Sequence, residues 1–168
     1  MQTLFPKGQV SFRPVQDSDR AFLMALYAST REWEFRITRW TEEDKKDFLE
    51  QQFKAQDLSY RMEFLGAKFL VIELDGVPVG RLYLDRQDDC LYIIEFTIAE
   101  SHRGRGIGTD ILKSLLNEAW GGKVPARLSV AHGNPALSLY RRLGFRPTNQ
   151  TATHLRMEWR PDLSPREI

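Results

Sequence analysis

Apolar and polar residues alternate along the first part of the chain in a way that predicts one strand followed by two helices. Residues 10–15 show the two-residue period of a strand, and residues 17–19 then offer N-cap side chains for a helix over residues 21–27. Thr41, with Asp44 three residues later, predicts the start of a second helix through a capping box. The apolar stripe of that helix would consist of Phe48, Leu49 and Phe53.

The middle of the chain predicts three consecutive strands. Residues 69–74 and 77–84 flank the dipeptide Asp75-Gly76, which suits the positive backbone angles of a two-residue hairpin turn. Gly80 interrupts the second strand and is interpreted as the site of a bulge. A mostly apolar strand follows over residues 91–98, so the three strands are expected to form an antiparallel meander.

The last part of the chain predicts helices and strands in alternation. A helix begins at about Thr109 and is stopped by the pair Gly121-Gly122, and a strand follows over residues 126–131. Asn134-Pro135 opens another helix, which ends in a left-handed cap at Gly144. Two strands after this glycine complete the pattern.

Length and composition are those of one ordinary globular domain. The chain has 168 residues, of which 42% are hydrophobic and 28% charged, so we expect a single domain over residues 1–160 and a loose tail over residues 161–168. The 24 Lys and Arg against 23 Asp and Glu leave a net charge of +1, which argues against nucleic acid and anionic membranes as partners. Short apolar runs, the lack of a leader and a single cysteine, Cys90, predict a cytoplasmic protein without a membrane span or an internal disulfide.

Residues 103–108, Arg-Gly-Arg-Gly-Ile-Gly, stand between the third strand of the meander and the following helix. Backbone N–H groups converge at a helix N-terminus, glycines let a ligand approach the main chain, and the two arginines add countercharge. A phosphate or pyrophosphate is therefore the expected ligand. The spacing differs from the Gly-Lys-Ser/Thr of a P-loop and from Gly-x-Gly-x-x-Gly, so ATP, GTP and NAD are not favoured.

Two motifs resemble those of one protein family. Arg103, Gly106 and Gly108 match the pattern Gln/Arg-x-x-Gly-x-Gly/Ala, and the segment Asn134-Pro-Ala-Leu-Ser-Leu-Tyr-Arg-Arg-Leu-Gly-Phe145 follows. Together they resemble the GNAT superfamily of acetyl-CoA-dependent N-acetyltransferases. The resemblance implies an α+β fold, a mixed and mostly antiparallel sheet of about seven strands flanked by about four helices, with two splayed strands forming a wedge for acetyl-CoA. It also implies direct transfer of an acetyl group to a primary amine, without a metal.

The same resemblance implies roles for individual residues. Tyr140 matches the tyrosine that protonates the departing thiolate, and Glu95, in the strand that binds the acetyl group, is the candidate general base. A main-chain N–H near Thr97 or Ile98 would polarise the thioester carbonyl. The residues implied in binding coenzyme A are Phe96, Thr97, Ile98 and Asn134 for the pantetheine arm and Arg103, Gly104, Arg105, Gly106, Ile107, Gly108 and Thr109 for the pyrophosphate.

Several of these residues also have a purely structural interpretation. Tyr140 lies on an amphipathic helix, where a core tyrosine is common, and Glu95 fits a structural glutamate as well as it fits a base. Cys90 needs no role as an acyl carrier, because the family transfers the acetyl group directly. No metal-ligand spacing is found for the three histidines, His102, His132 and His154. Core packing and an acceptor pocket are both open interpretations for Trp33, Glu34, Phe35 and Trp40.

The identity of the acceptor is left open by the sequence. A polyamine, an amino acid, an antibiotic and a protein amine all remain candidates. Two alternatives to acetyl transfer also stand, namely a non-catalytic sensor or interaction module that binds acyl-CoA, and a transferase of another acyl group. Dimers are common in the family that the chain resembles, so a homodimer is a further open alternative.

Overall fold

Eight β-strands and four α-helices are formed by the residues described in the computed structural model, which are 3–5, 8–35 and 39–162. The helices are α1 (Arg20–Ser29), α2 (Glu42–Glu63), α3 (Ile107–Gly122) and α4 (Ala136–Arg142). The strands are β1 (Thr3–Phe5), β2 (Gly8–Pro14), β3 (Lys68–Leu74), β4 (Val77–Arg86), β5 (Leu91–Ile98), β6 (Ala126–Ala131), β7 (Arg146–Gln150) and β8 (His154–Trp159). The α+β prediction is confirmed, and β1 is the one strand that the sequence pattern did not predict.

The strands form a mixed sheet. Their hydrogen-bonded order is β1-β2-β3-β4-β5-β6-β8-β7. β5 and β6 run parallel, whereas β1 with β2, β2 with β3, β6 with β8 and β7 with β8 are antiparallel. The chain divides into two compact units, one made of the described residues up to Leu82 together with Phe96–Arg103, and the other of Tyr83–Glu95 together with the described residues from Gly104 onward.

In the first unit, α1 and α2 pack against each other around a small aromatic core. The cluster of buried residues consists of Leu23, Tyr27, Phe35, Leu49 and Phe53. The rings of Tyr27 and Phe53 lie 5.5 Å apart at a tilt of 56°, a geometry that aromatic pairs prefer. The predicted stripe of α2 is therefore confirmed, with Phe48 partly buried beside this core. Helix α2 is also tied to β4, because Arg81 donates to the Oε1 of Gln56 at 3.2 Å.

Two local signals in this unit have the predicted geometry. Thr41 and Asp44 form a reciprocal capping box, in which Thr41 Oγ1 accepts from the Asp44 N–H at 3.1 Å and the Asp44 carboxylate accepts from the Thr41 N–H at 3.1 Å. Asp75 and Gly76, at the turn between β3 and β4, have φ angles of 51° and 79°. Both positive angles are those required by the tight hairpin turn.

The predicted N-cap of α1 is wrong in detail. Residues 17–19 form a short 3₁₀ turn, and α1 begins at Arg20 without a side-chain cap. The two carboxylate oxygens of Asp19 accept from the guanidinium of Arg13 at 2.7 and 2.8 Å, and Oδ2 also accepts from the Gln16 N–H at 2.8 Å at the start of the 3₁₀ turn. Arg13 also donates to Glu73 at 2.6 Å. The paired hydrogen bonds from Arg13 lower the pKa of Asp19 below its usual range.

In the second unit, α3 buries one face that was predicted from helical spacing, but both of its ends differ from the prediction. The helix begins at Ile107, two residues before the expected Thr109, and continues through Gly121-Gly122. It is Lys123, with φ 55°, that ends the helix in a left-handed cap, and the Val124 N–H then bonds to the Ala119 carbonyl at 3.0 Å. The buried face consists of Ile107, Ile111, Leu112, Leu115, Leu116 and Ala119.

Helix α4 ends as predicted. Gly144 has a φ of 95°, and the Phe145 N–H bonds to the Tyr140 carbonyl at 3.0 Å. None of the helices in the described ranges is long and apolar enough to cross a membrane. Residues 163–168 of the expected tail lie outside the described residues.

Candidate active site

A fork between β5 and β6 is the main feature of the candidate site in the second unit. The two strands pair in parallel from Leu91 opposite Ala126 to Ile93 opposite Leu128, and no further pair joins them among the described residues of this unit. β6 continues to Ala131 in full register with β8, while β5 continues past Ile93. The splayed strand pair predicted from the sequence is therefore confirmed.

The closed end of the fork is held by a network of charges around Arg127. This residue of β6 donates to Glu158 of β8 at 2.9 Å and to Asp89, in the turn before β5, at 3.2 Å. The Leu91 N–H bonds to the Pro125 carbonyl at 2.9 Å, just beside it. These contacts connect β5, β6 and β8 at the closed end of the fork, where β5 and β6 are still paired. They therefore fix the point at which β5 and β6 part.

Tyr140 and Glu95 are brought together in the same unit. Tyr140 is 5% exposed and packs edge-on against Phe145, with ring centroids 5.7 Å apart. Burial raises the pKa of the Tyr140 phenol, and the negative charge of Glu95 raises this pKa further. The phenol therefore keeps its proton at neutral pH, and the Glu95 carboxylate is close enough to act on it electrostatically.

Asn134 has a structural role at the start of α4. Its side-chain oxygen accepts a hydrogen bond from the Ala136 N–H at 2.9 Å, as the predicted cap requires. The residue is exposed. Asn134 therefore fixes the beginning of the helix that carries Tyr140.

The glycine loop at the start of α3 has the geometry of an anion-binding loop. Gly104 and Gly106 have φ angles of 71° and 83°, which favour glycine. Gly106 is the N-cap of α3, and because glycine has no side chain it cannot cap the helix. The N–H groups of the first turn therefore need another hydrogen-bond acceptor. A Cβ built on Gly104 would meet no atom within 4 Å, which leaves the main chain open to a ligand. Because α3 begins at Ile107, the predicted binders 107–109 occupy its first turn.

Four of the remaining predicted binders, Phe96, Thr97, Ile98 and Arg103, lie in the first unit. Thr97 and Ile98 are buried at 8% and 9% exposure, and Phe96 is partly buried. Arg103 donates through Nε to the Ile98 carbonyl at 2.8 Å, so its side chain ties the start of the loop to the end of β5. The exposed Arg105 lies in the second unit beside the two glycines.

Gly80 on β4 is a residue whose importance for this region the sequence analysis missed. A Cβ at this position would overlap the main-chain oxygen of Thr97 and would lie 3.1 Å from the Cδ1 of Ile98. The neighbouring hydrogen bond, from the Ala99 N–H to the Val79 carbonyl, measures 2.8 Å. The sequence signal for this role was the presence of a glycine inside an apolar strand. The structure shows that glycine is required at this position because β5 approaches β4 closely there.

Of the aromatic residues before α2, Phe35 is part of the core and Trp40 is exposed. Phe35 is 9% exposed and belongs to the cluster between α1 and α2. Trp40 is 42% exposed, with its ring 5.7 Å from Phe35 and 5.0 Å from Phe48. The side chains of Trp33 and Glu34 lie outside the described residues.

Cys90 is buried just before β5. Cys90 is 1% exposed and donates to Gln87 Oε1 at 3.3 Å, and burial raises the pKa of its thiol. Such a thiol is a poor nucleophile. In the described part of the chain, no group of three or more His, Cys, Asp or Glu side chains is placed to hold a metal ion.

Comparison with known proteins agrees with the fold. The sequence profile of the acetyltransferase (GNAT) family matches residues 23–145. The chain therefore belongs to the GNAT acetyltransferase family, and the protein is an acyltransferase of the N-acetyltransferase type with acetyl-CoA as its cosubstrate.

Several solved structures share the fold at low sequence identity. The PaiA N-acetyltransferase of Thermoplasma acidophilum, solved with coenzyme A, has a TM-score of 0.66 at 17% identity, with 90% of this chain and 98% of that chain covered. An acetyltransferase of Thermus thermophilus has a TM-score of 0.64 at 20% identity, with 95% and 99% covered. RimJ of Mycobacterium smegmatis, solved with CoA-disulfide, has a TM-score of 0.61 at 21% identity, with 94% and 84% covered.

Proposed function

We propose that the protein transfers an acetyl group from acetyl-CoA directly to a primary amine, with Tyr140 as general acid and Glu95 as general base. The observation that carries this proposal is the buried phenol of Tyr140 within electrostatic reach of Glu95, in the unit where β5 and β6 part. An ordinary core tyrosine has no need of a carboxylate near its hydroxyl, whereas a proton donor and a proton acceptor close to each other suit acyl transfer.

Coenzyme A fits the residues that the chain offers. The open main chain at Gly104 and the uncapped first turn of α3 support a pyrophosphate on residues 103–109. The main chain of Phe96, Thr97 and Ile98 would pair with the pantetheine arm, and Asn134 would contact the same arm from the start of α4. Bound in this way, acetyl-CoA supplies an activated acetyl thioester.

The base is needed because the acceptor is protonated in water. An alkylamine with a pKa near 10.4 loses its proton at pH 7 at a cost of about 4.6 kcal/mol. Glu95 would accept this proton directly or through one water, and a main-chain N–H of Thr97 or Ile98 would stabilise the developing negative charge on the carbonyl oxygen. The amine nitrogen then bonds to the carbonyl carbon as the carbon–sulfur bond breaks.

Tyr140 would assist the sulfur as it leaves. Its raised pKa keeps the phenol protonated and able to donate a hydrogen bond to the sulfur. Proton transfer from this phenol alone to a thiolate whose conjugate thiol has a pKa of about 8.5 is uphill. The phenol proton would therefore pass to the sulfur as the carbon–sulfur bond breaks, while the nitrogen gives its own proton to the phenol oxygen. The products are the amide and the free thiol of coenzyme A, and one proton passes to solvent.

Ligand-dependent thermal unfolding tests the cosubstrate. Acetyl-CoA or CoA at one hundred times its dissociation constant adds about 2.7 kcal/mol to the free energy of unfolding. For a chain of this size the midpoint should rise by about 5 to 10 °C. NAD and ATP should leave the midpoint unchanged, and a rise with NAD or ATP alone would contradict the assignment of the loop.

Release of CoA with a panel of primary amines tests the reaction. Tyr140→Phe should lower turnover by an order of magnitude or more with little change in acetyl-CoA affinity, and Glu95→Gln should lower it by about a hundredfold. Tyr27→Phe removes a buried hydroxyl from α1 and should leave turnover as it is. Stabilisation by acetyl-CoA without turnover of any amine would favour the acyl-CoA sensor, and faster reaction with a longer acyl-CoA would favour transfer of another acyl group.

A further inference from the structure

The proposed base and the proposed acid are carried by different branches of the fork in the second unit. Glu95 is on β5, two residues beyond Ile93, where the pairing with β6 ends. Tyr140 is on α4, which follows β6, and the turn between them is fixed to β6 because the Asn134 N–H donates to the Ala131 carbonyl at 3.1 Å. The position of Tyr140 therefore follows β6, whereas the position of Glu95 follows β5.

The paired part of the fork is short, so the tilt of β5 against β6 matters for Glu95. In the described part of this unit β5 pairs with β6 at three positions, from Leu91 to Ile93. Leu91 and Glu95 lie two residues on either side of Ile93, each about 7 Å away at the rise of a strand. A tilt of β5 about Ile93 therefore moves Glu95 as far as it moves Leu91, in the opposite direction. A displacement of about 1 Å at a reacting centre lowers a rate constant by up to about a hundredfold.

A side-chain bridge crosses the fork at its closed end. Arg127 of β6 donates to Asp89, two residues before β5, at 3.2 Å. The second ion pair of Arg127, with Glu158 at 2.9 Å, lies between β6 and β8, which are already paired along the whole of β6. Glu158 also accepts from Arg160 at 2.8 Å. Both carboxylates hold the same guanidinium, but of the two it is Asp89 that ties β5 to β6.

We infer that Asp89 and Arg127 are positioning residues for acetyl transfer, because their bridge sets the tilt of β5 against β6 and thereby places the Glu95 carboxylate against the Tyr140 phenol. This inference rests on the proposed function in that Glu95 and Tyr140 are taken to be the acid–base pair. The side chains of Asp89 and Arg127 are 72% and 39% exposed, so salt screens their attraction. An exposed ion pair shifts the balance between two arrangements by up to about fivefold, and the catalytic step should respond to the bridge within that range.

Two matched variants separate the bridge across the fork from the general stability of the network. Asp89→Asn should lower kcat at saturating acetyl-CoA by about two- to fivefold, with the Kd of CoA unchanged. Asp89→Glu keeps the carboxylate and should restore most of the turnover. Glu158→Gln takes the other carboxylate from Arg127 and should leave kcat unchanged.

The salt dependence of kcat is a readout that a loss of stability alone would not move. Raising NaCl from about 0.05 to 0.5 M should lower kcat of the unmodified protein to the value of Asp89→Asn, and it should leave kcat of Asp89→Asn unchanged. A loss of kcat in both Asp89→Asn and Glu158→Gln, or in neither, overturns the inference.

Fluorine NMR of protein labelled with 3-fluorotyrosine gives a readout that does not depend on turnover. The resonance of position 140 is assigned by its loss in Tyr140→Phe, and its displacement in Glu95→Gln calibrates its response to the nearby carboxylate. Asp89→Asn should displace this resonance, and Glu158→Gln should leave it in place. An undisplaced resonance in Asp89→Asn overturns the inference whether or not the enzyme is active. If the resonance is displaced as expected but no amine releases CoA, the proposed function fails and the positioning of Glu95 by the bridge stands.

Discussion

Replacing Gly80 by alanine tests the packing of β4 against β5 most directly. The added Cβ would overlap the Thr97 carbonyl oxygen, and it would lie 3.1 Å from Ile98 Cδ1 and 3.2 Å from Ile72 Cδ1. The two isoleucine methyl groups can move by a few tenths of an ångström. The carbonyl oxygen belongs to the main chain of β5, and the hydrogen bond from the Ala99 N–H to the Val79 carbonyl, at 2.8 Å, holds that strand against β4 two residues further on.

The two strands must therefore separate at this point, by roughly 1 Å if the carbon–oxygen contact is to become an ordinary van der Waals contact. Overpacking of this kind costs about 1 to 3 kcal/mol, which for a domain of this size lowers the thermal midpoint by about 2 to 12 °C. A displacement of about 1 Å at a reacting centre lowers rate constants by up to about a hundredfold. We therefore expect kcat/KM to fall by about ten- to a hundredfold, since Thr97 would lie against the thioester.

Urea denaturation and CoA release should be measured on the same preparations. Gly121→Ala is the matched control, because a Cβ there meets no atom within 4 Å and the residue lies inside α3. That variant should gain up to about 1 kcal/mol from helix propensity and keep its activity. A Gly80→Ala protein as stable and as active as the unmodified protein would refute the argument that close approach of β5 requires glycine.

Three further predictions concern other parts of the chain. Arg13 lowers the folded-state pKa of Asp19, so the stability that Asp19 contributes is complete above its unfolded pKa of about 3.9 and is lost as the pH falls through its folded pKa. Asp19→Asn should therefore make the unfolding free energy fall less steeply with decreasing pH below about pH 4. Urea titrations in which both proteins show the same dependence of the unfolding free energy on pH would contradict this. Gly106→Ala places a Cβ on a residue in the left-handed conformation, at φ 83°, and should lower the free energy of unfolding by about 1 to 2 kcal/mol. It should also reduce the thermal stabilisation by CoA, and undiminished stabilisation would exclude the loop as the binding site. Cys90→Ala should lower stability by about 1 kcal/mol with kcat/KM unchanged, whereas a large loss of turnover would indicate an acyl-cysteine step.

Features that depend on neighbours along the chain were predicted from the sequence. The Asp75-Gly76 turn, the capping box of Thr41 with Asp44 and the left-handed cap at Gly144 all have the expected geometry. Each depends on backbone angles and hydrogen bonds within a few residues, so the residue types at those positions determine the local conformation. The family motifs around the glycine loop are local in the same sense, and they identified the fold.

Features that depend on residues distant in the sequence were decided by the tertiary structure. Asp19 lies where the N-cap of α1 is expected, but its carboxylate bonds to Arg13 on β2 and to the N–H of Gln16 instead of capping the helix. The need for glycine at position 80 arises only when β5 is laid against β4. The raised pKa of Tyr140 follows from burial and from Glu95, forty-five positions earlier in the chain. A sequence pattern records which side chains are available, but burial and distance between remote residues exist only once the chain has folded.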